Sequence, residues 1–158
     1  MERLPMTAAG FIRLEKELKD LKGKSRPAVI QAIATAREHG DLSENAEYSA
    51  AKEQQSLIEG RIAELADKLG RSEIIDVASI TGSTIKFGAT IQVVDEDTDE
   101  ETSYQIVGED ESNIEEGRLS IRAPLARALI GKEQGDSIEV ITPGGSKAYE
   151  ILDIKYID

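Results

Sequence analysis

Apolar residues recur at helical spacing along the first half of the chain and at strand spacing along the second. Phe11, Leu14, Leu18 and Leu21 step by 3, 4 and 3, which places them on one face of a helix. Thr7 sits where an N-cap belongs, with Met6 and Phe11 placed as a hydrophobic staple around it. Gly23 and Pro27 interrupt this pattern. A proline inside a helix removes a hydrogen bond and costs about 3 kcal/mol, so a kink or short break is expected there. Ile30 and Ile33 resume the apolar face in a shifted phase, and Gly40 stands where a helix C-cap would.

A second helix is predicted from Glu44 to Gly70. Tyr48, Ala51, Gln55, Ile58, Ile62, Leu65 and Leu69 step alternately by 3 and 4, a heptad seam with one polar member. At 1.5 Å per residue that helix spans about 40 Å. Two long helices joined by about four residues must run antiparallel. Such a hairpin has one narrow seam, and its far tip is the bend.

Beyond the hairpin, five stretches alternate or are rich in β-branched residues and predict strands: residues 83–94, 102–108, 117–123, 136–143 and 147–157. "PLARALIG", Pro124 to Gly131, predicts a short helix with proline at its start and glycine at its end. "PGG", Pro143 to Gly145, predicts a hairpin turn, and the acidic run Asp95 to Thr102 a strand connection. The fold class is therefore α+β, with an N-terminal antiparallel two-helix coiled coil over residues 1–76 and a small sheet domain over 77–158.

Charge separates the halves further. The 158 residues carry a net charge of −12. Residues 1–78 hold 12 basic and 14 acidic side chains, whereas residues 79–158 hold 7 and 17. The acidic balance argues against binding naked nucleic acid with the whole surface. Residues 13–37 nevertheless hold seven basic and three acidic side chains, a local excess that could face a phosphate chain. Cysteine is absent and one histidine is present, so a metal site would use oxygen ligands, which favour Mg²⁺, Mn²⁺ or Ca²⁺. No apolar run approaches a membrane span and the N-terminus lacks a signal core, so a cytoplasmic location is expected.

The bend "REHGDLSENAEYSAAKE" gathers Glu38, Asp41, Glu44 and Glu47 around Gly40. Asp41 and Glu44 have the spacing of a capping box, in which Asp41 caps the second helix and Glu44 reaches back to it. Glu38 and Asp41 also fall at the C-terminal end of the first helix, where negative charge is unfavourable. A single cap does not require four acids. Two close carboxylates at a rod tip can instead hold Mg²⁺, with water completing the shell. Both readings stand on the spacing.

The motif "AREHGDLSENAEYSAAKEQQ", Ala36 to Gln55, resembles the bacterial GreA/GreB transcript-cleavage factors, on the GreA side of that family. "FGATI", "IVGEDE", "SIRAPLARALIGKEQGD" and "TPGG" extend the resemblance in order over nearly the whole chain. It implies that the C-terminal domain is FKBP-like. It implies a monomer that binds RNA polymerase, meets no membrane and binds DNA only weakly. Its hairpin would enter the secondary channel and stimulate the polymerase's own cleavage of backtracked RNA. By resemblance Asp41 and Glu44 are the assisting acids, sharing Mg²⁺ with the polymerase, and no cofactor is held by the chain alone. Arg37 and Lys52 would face the 3′ end of the nascent RNA, Ser43 and Gly40 would support the tip, and Pro124 and Leu125 would lie in the polymerase-docking loop. Two other classes compete. A secondary-channel regulator that inhibits without stimulating cleavage would alter the tip acids, which are intact here. A free-standing prolyl isomerase would need an aromatic pocket, against which the few rings Phe87, Tyr104, Tyr149 and Tyr156 argue.

Overall fold

The computed structural model describes residues 2–40 and 45–157. The chain forms an N-terminal helical hairpin followed by a β-sheet domain, and it divides into two compact units. One comprises Glu2 and Phe11–Ser72, and the other Arg3–Gly10 and residues 73–157.

The helical unit is built on α1 (Ala8–Asp20), α2 (Arg26–Arg37) and α3 (Ala46–Gly70). Gly23 and Pro27 do not break the first rod. Leu21–Ser25 form one π turn between α1 and α2, in which the Arg26 amide donates to the Leu21 carbonyl. Pro27 sits in the first turn of α2, where its missing N–H costs little. A π turn is a one-residue insertion, and the buried positions record it. Stepping onward from Leu14, Leu18 and Leu21 by 4 and 3 would bury residues 28, 32 and 35. The buried residues are Val29, Ile33 and Ala36, each one later. The expected apolar residue Ile30 is therefore displaced to the surface, 52% exposed, and Val29 takes the seam.

Val29, Ile58 and Ile62 form a buried cluster joined by Leu18 and Leu21. On α3, Ala51, Ile58, Ile62 and Leu65 are buried, and Tyr48, Gln55 and Leu69 are half-buried, so every heptad position faces inward. Two forked ion pairs hold the register. Arg26 donates to Glu59 at 2.8 and 2.7 Å, and Arg61 to Glu17 at 3.1 and 2.8 Å. The hydrogen bond from Arg26 holds the Glu59 carboxyl below its usual range. Val29→Ala is expected to destabilise the helical unit by about 1–3 kcal/mol. Ile30→Ala should change it by less than about 0.5 kcal/mol. Thermal unfolding followed by helical circular dichroism checks both.

In the other unit a five-stranded sheet is ordered β5-β4-β3-β7-β6. Its strands are β3 (Thr90–Asp95), β4 (Glu101–Val107), β5 (Arg118–Ser120), β6 (Ser137–Thr142) and β7 (Gly145–Lys155). Neighbours are antiparallel except β4 with β5. The Thr142–Gly145 pair closes the β6–β7 hairpin around Pro143 and Gly144, as expected. The helix α4 (Pro124–Leu129) places Ala126 and Leu129 in one core with Ile91, Val93, Ile106, Ile138, Val140 and Ile151. Tyr104, Tyr149 and Tyr156 pack against that core. Burial raises the Tyr156 pKa, while its hydroxyl donates to the Thr84 carbonyl and accepts from the Lys86 amide.

Residues 83–89, expected to begin a strand, do not. Ile85 instead exchanges backbone bonds with Lys132 and Gly131, each 2.8 Å. Two four-residue strands escaped the sequence pattern: β1 (Leu4–Thr7) and β2 (Ser72–Ile75), which pair in a ribbon. Thr7 does cap α1, its hydroxyl accepting from the Gly10 amide at 3.0 Å.

Candidate functional site

The hairpin tip is built by two helix ends. Helix α2 closes with its last amides turned back on it: Glu38 donates to Thr35 at 3.2 Å and His39 to Ala36 at 3.1 Å. Gly40 follows at φ 104°, a conformation that L side chains rarely adopt. Gly40 is thus the left-handed stop expected of a helix C-terminus.

Helix α3 starts at Ala46, and its N-cap is Asn45. The Asn45 side-chain oxygen accepts from the Tyr48 amide at 3.0 Å, and its side-chain amide donates to the Ala36 carbonyl at 2.6 Å. One side chain therefore caps the second helix and ties it to the end of the first. This corrects two expectations. The helix begins two residues later than Glu44, and Asp41 is not its cap. The connection is 38–45 rather than four residues, because Gly40 ends one helix and Asn45 opens the next. Asn is among the best N-cap residues and directly precedes the first seam turn. That signal was present in the sequence but masked by the capping-box spacing of Asp41 and Glu44.

Asp41, Ser43 and Glu44 lie outside the described residues. Their described neighbours set the charge of the tip. Glu38 and Glu47 are exposed, Glu47 in the first turn of α3, where a negative charge suits the helix dipole. His39 is exposed and its Nε2 lies 3.8 Å from Glu47. Arg37 is exposed, with its guanidinium 5.9 Å from the centre of the half-buried Tyr48 ring. Stacking of that kind holds an arginine in place without neutralising it. Lys52 is exposed and donates to Gln55 at 3.2 Å. The end of the rod thus carries carboxylates flanked by two cations that no carboxylate neutralises among the described residues.

Pro124 and Leu125 occupy the first turn of α4. Pro124 is exposed, and Leu125 is half-buried against the sheet core. Among the described residues no three His, Asp or Glu side chains converge as metal ligands, and no helix is long and apolar enough to cross a membrane.

Asn45→Ala removes both side-chain bonds at the tip. It is expected to cost the helical unit about 1–2 kcal/mol and to speed hydrogen exchange of the Tyr48 amide. Native-state exchange measures both.

Two family models match the chain. One, described as "Transcription elongation factor, N-terminal", spans residues 4–74, and the other, "Transcription elongation factor, GreA/GreB, C-term", spans 80–156. The chain is 63% identical over 157 residues to the transcription elongation factor GreA of Paracoccus denitrificans, covering 99% of this chain and 100% of the relative. It is 63% identical over 156 residues to GreA of Ruegeria pomeroyi, covering 99% of each. Among solved structures it is similar to GreA factor homolog 1 of Thermus thermophilus, with a TM-score of 0.45, 26% identity and coverage of 98% of this chain and 99% of that one. It is also similar to a GreA/GreB elongation factor from Nitrosomonas europaea, with a TM-score of 0.43, 23% identity and coverage of 98% and 100%.

Proposed function

Because the chain belongs to the GreA/GreB family of transcription elongation factors, we propose that it binds bacterial RNA polymerase and stimulates the polymerase's own hydrolysis of backtracked RNA. The hairpin enters the secondary channel tip first. The chain acts as a cytoplasmic monomer and an activator, with no catalysis of its own.

The observation that carries this reading is the cap. Asn45 performs the structural task that the tip acids were offered for. Asp41 and Glu44 are then not needed as the cap of α3. Two carboxylates three residues apart fit a shared Mg²⁺, which takes one or two protein carboxylates and keeps its other positions for water and phosphate. Asp41 and Glu44 would help the polymerase hold a second Mg²⁺, and in two-metal phosphodiester hydrolysis one ion would activate the attacking water while the other would steady the leaving oxygen.

The remaining tip residues bind and position. Arg37, steadied on Tyr48, and Lys52 lie where they attract the backbone of the displaced RNA 3′ end. Ser43 and Gly40 support the tip, Gly40 by permitting the turn. Pro124, exposed at the start of α4, and Leu125 dock on the polymerase.

The test is to halt polymerase in a backtracked state with 3′-labelled RNA and Mg²⁺, add the purified protein, and follow short 3′ fragments. Accelerated release is the expected result. Binding without acceleration would replace this reading with that of an inhibitory secondary-channel regulator.

A further inference from the structure

We propose that β6, the open edge of the five-stranded sheet, accepts an added strand from a partner protein, an extended segment with carboxylates at alternate positions. The inference is independent of the tip and its chemistry.

An edge strand presents unpaired backbone donors and acceptors, and proteins usually blunt it. The sheet has two edges. β5 is three residues long, too short to template a strand, but β6 is six, Ser137 to Thr142. The two-residue hairpin fixes which groups β6 leaves open. Thr142 and Gly145 close the hairpin as a hydrogen-bonded pair, so Val140 and Ile138 also bond to β7. The Ile151 amide, bonded to the Asp136 carbonyl at 2.9 Å, continues the same phase. Ser137, Glu139 and Ile141 therefore turn their N–H and C=O groups to the open side.

The usual protections are missing from this edge. The segment "SIEVIT" contains no proline or lysine, and its pairing with β7 runs without a bulge. Ile141 is 81% exposed. Glu139 is the single charge. It opposes pairing with a second copy, because antiparallel pairing centred on it would set Glu139 against Glu139.

The charge beside the edge names the occupant. A groove of about 390 Å³ runs along β6, walled by Arg127, Ile130 and Lys132 at the end of α4. Residues 79–158 hold 17 acidic and 7 basic side chains, so cations are scarce there. Arg118, Arg122 and Lys155 pair with Glu116, Glu109 and Asp153. Arg127 and Lys132, like Lys86 and Lys147, have no ion pair among the described residues, but Arg127 and Lys132 line the groove that follows the open edge. Side chains of an added strand alternate between faces. Those on the α4 side meet Arg127 and Lys132, and those on the other side meet Ile141. This is strand addition, in which backbone bonds give affinity and alternate side chains give specificity.

The test titrates the full ¹⁵N-labelled chain with an eight-residue peptide of alternating Glu and Val and a matched Lys/Val peptide. The expected result is shift and exchange protection of the Ser137, Glu139 and Ile141 amides by the acidic peptide. Arg127→Glu with Lys132→Glu should weaken that binding about tenfold or more. Glu139→Pro should do the same while leaving the fold intact, since proline is tolerated where an edge N–H faces solvent. Equal binding of the basic peptide, or no change at these amides up to millimolar acidic peptide, overturns the proposal. So does a dimer that forms with concentration and is lost in Glu139→Pro, which would give the edge to a second copy.

Discussion

Replacing Asp41 by Asn and Glu44 by Gln together is expected to slow release of short RNA fragments from backtracked polymerase by about 100-fold or more, the scale lost when a preorganised charge is removed from a phosphoryl or acyl transition state. Both substitutions keep size and shape, remove the charge and exchange one acceptor oxygen for an NH₂ donor. The fold should be unaffected, because α3 takes its cap from Asn45 rather than from Asp41. Helical circular dichroism and the thermal midpoint should match the wild type, and so should competition for polymerase. Raising Mg²⁺ should narrow the gap between variant and wild type, since weaker ligands are offset by mass action. A purely structural role for the acids would show no such rescue. Wild-type cleavage by the variant at low Mg²⁺ would remove Asp41 and Glu44 from the chemistry.

The same residue explains what could and could not be read from sequence. The acids were conspicuous because charge at a helix end lacked a structural reason, and that much needs no coordinates. The cap of α3 was misassigned, because Asp41, four residues before Asn45 in sequence, is also a good cap and carries the capping-box spacing. Tertiary geometry decides it: Asn45 reaches the Ala36 carbonyl of the other helix and so does two tasks. The seam of α3 was fully legible, since a heptad holds its phase for its whole length. The seam of α1 and α2 was legible up to Leu21 and again at Ile33, but not at Val29 between them. A π turn shifts the phase by one residue, and the chain offers Ile30 and Val29 as equally apolar candidates for the next position. In the sheet domain, alternation found the hydrogen-bonded strands but also marked residues 83–89, where Ile85 is buried and bonds to Gly131 and Lys132 instead of a strand. β1 and β2 are too short to show a period at all. Their importance lies in Thr7, which meets a carboxylate 104 residues away, a relation no local pattern carries.

That carboxylate, Glu111, is expected to be the costliest single truncation in the sheet domain. It is 4% exposed. One oxygen accepts from the Thr7 amide at 3.1 Å and the Gly108 amide at 2.9 Å. The other accepts from the Thr7 hydroxyl, which in turn accepts from Gly10. Glu111→Ala leaves three buried donors without this acceptor and opens a void where the side chain was. Each buried orphan costs about 1–3 kcal/mol, so a total loss of about 3–5 kcal/mol is expected after relaxation and entry of water. Glu111→Gln should recover part of it. Its carbonyl can serve both amides, but its NH₂ would approach the Thr7 hydroxyl as a second donor, forcing that proton elsewhere. Gly10→Ala should approach the alanine variant from the opposite side. A Cβ at residue 10 would collide with the Glu111 carboxylate, so the carboxylate or the start of α1 must move. Urea unfolding followed by tyrosine fluorescence measures all three, because Tyr104, Tyr149 and Tyr156 lie in this unit and only Tyr48 in the other. The order wild type, Glu111→Gln, Glu111→Ala in falling midpoint is the expected outcome. An alanine variant that unfolds with the wild type would mean that water satisfies these donors and that the carboxylate organises nothing.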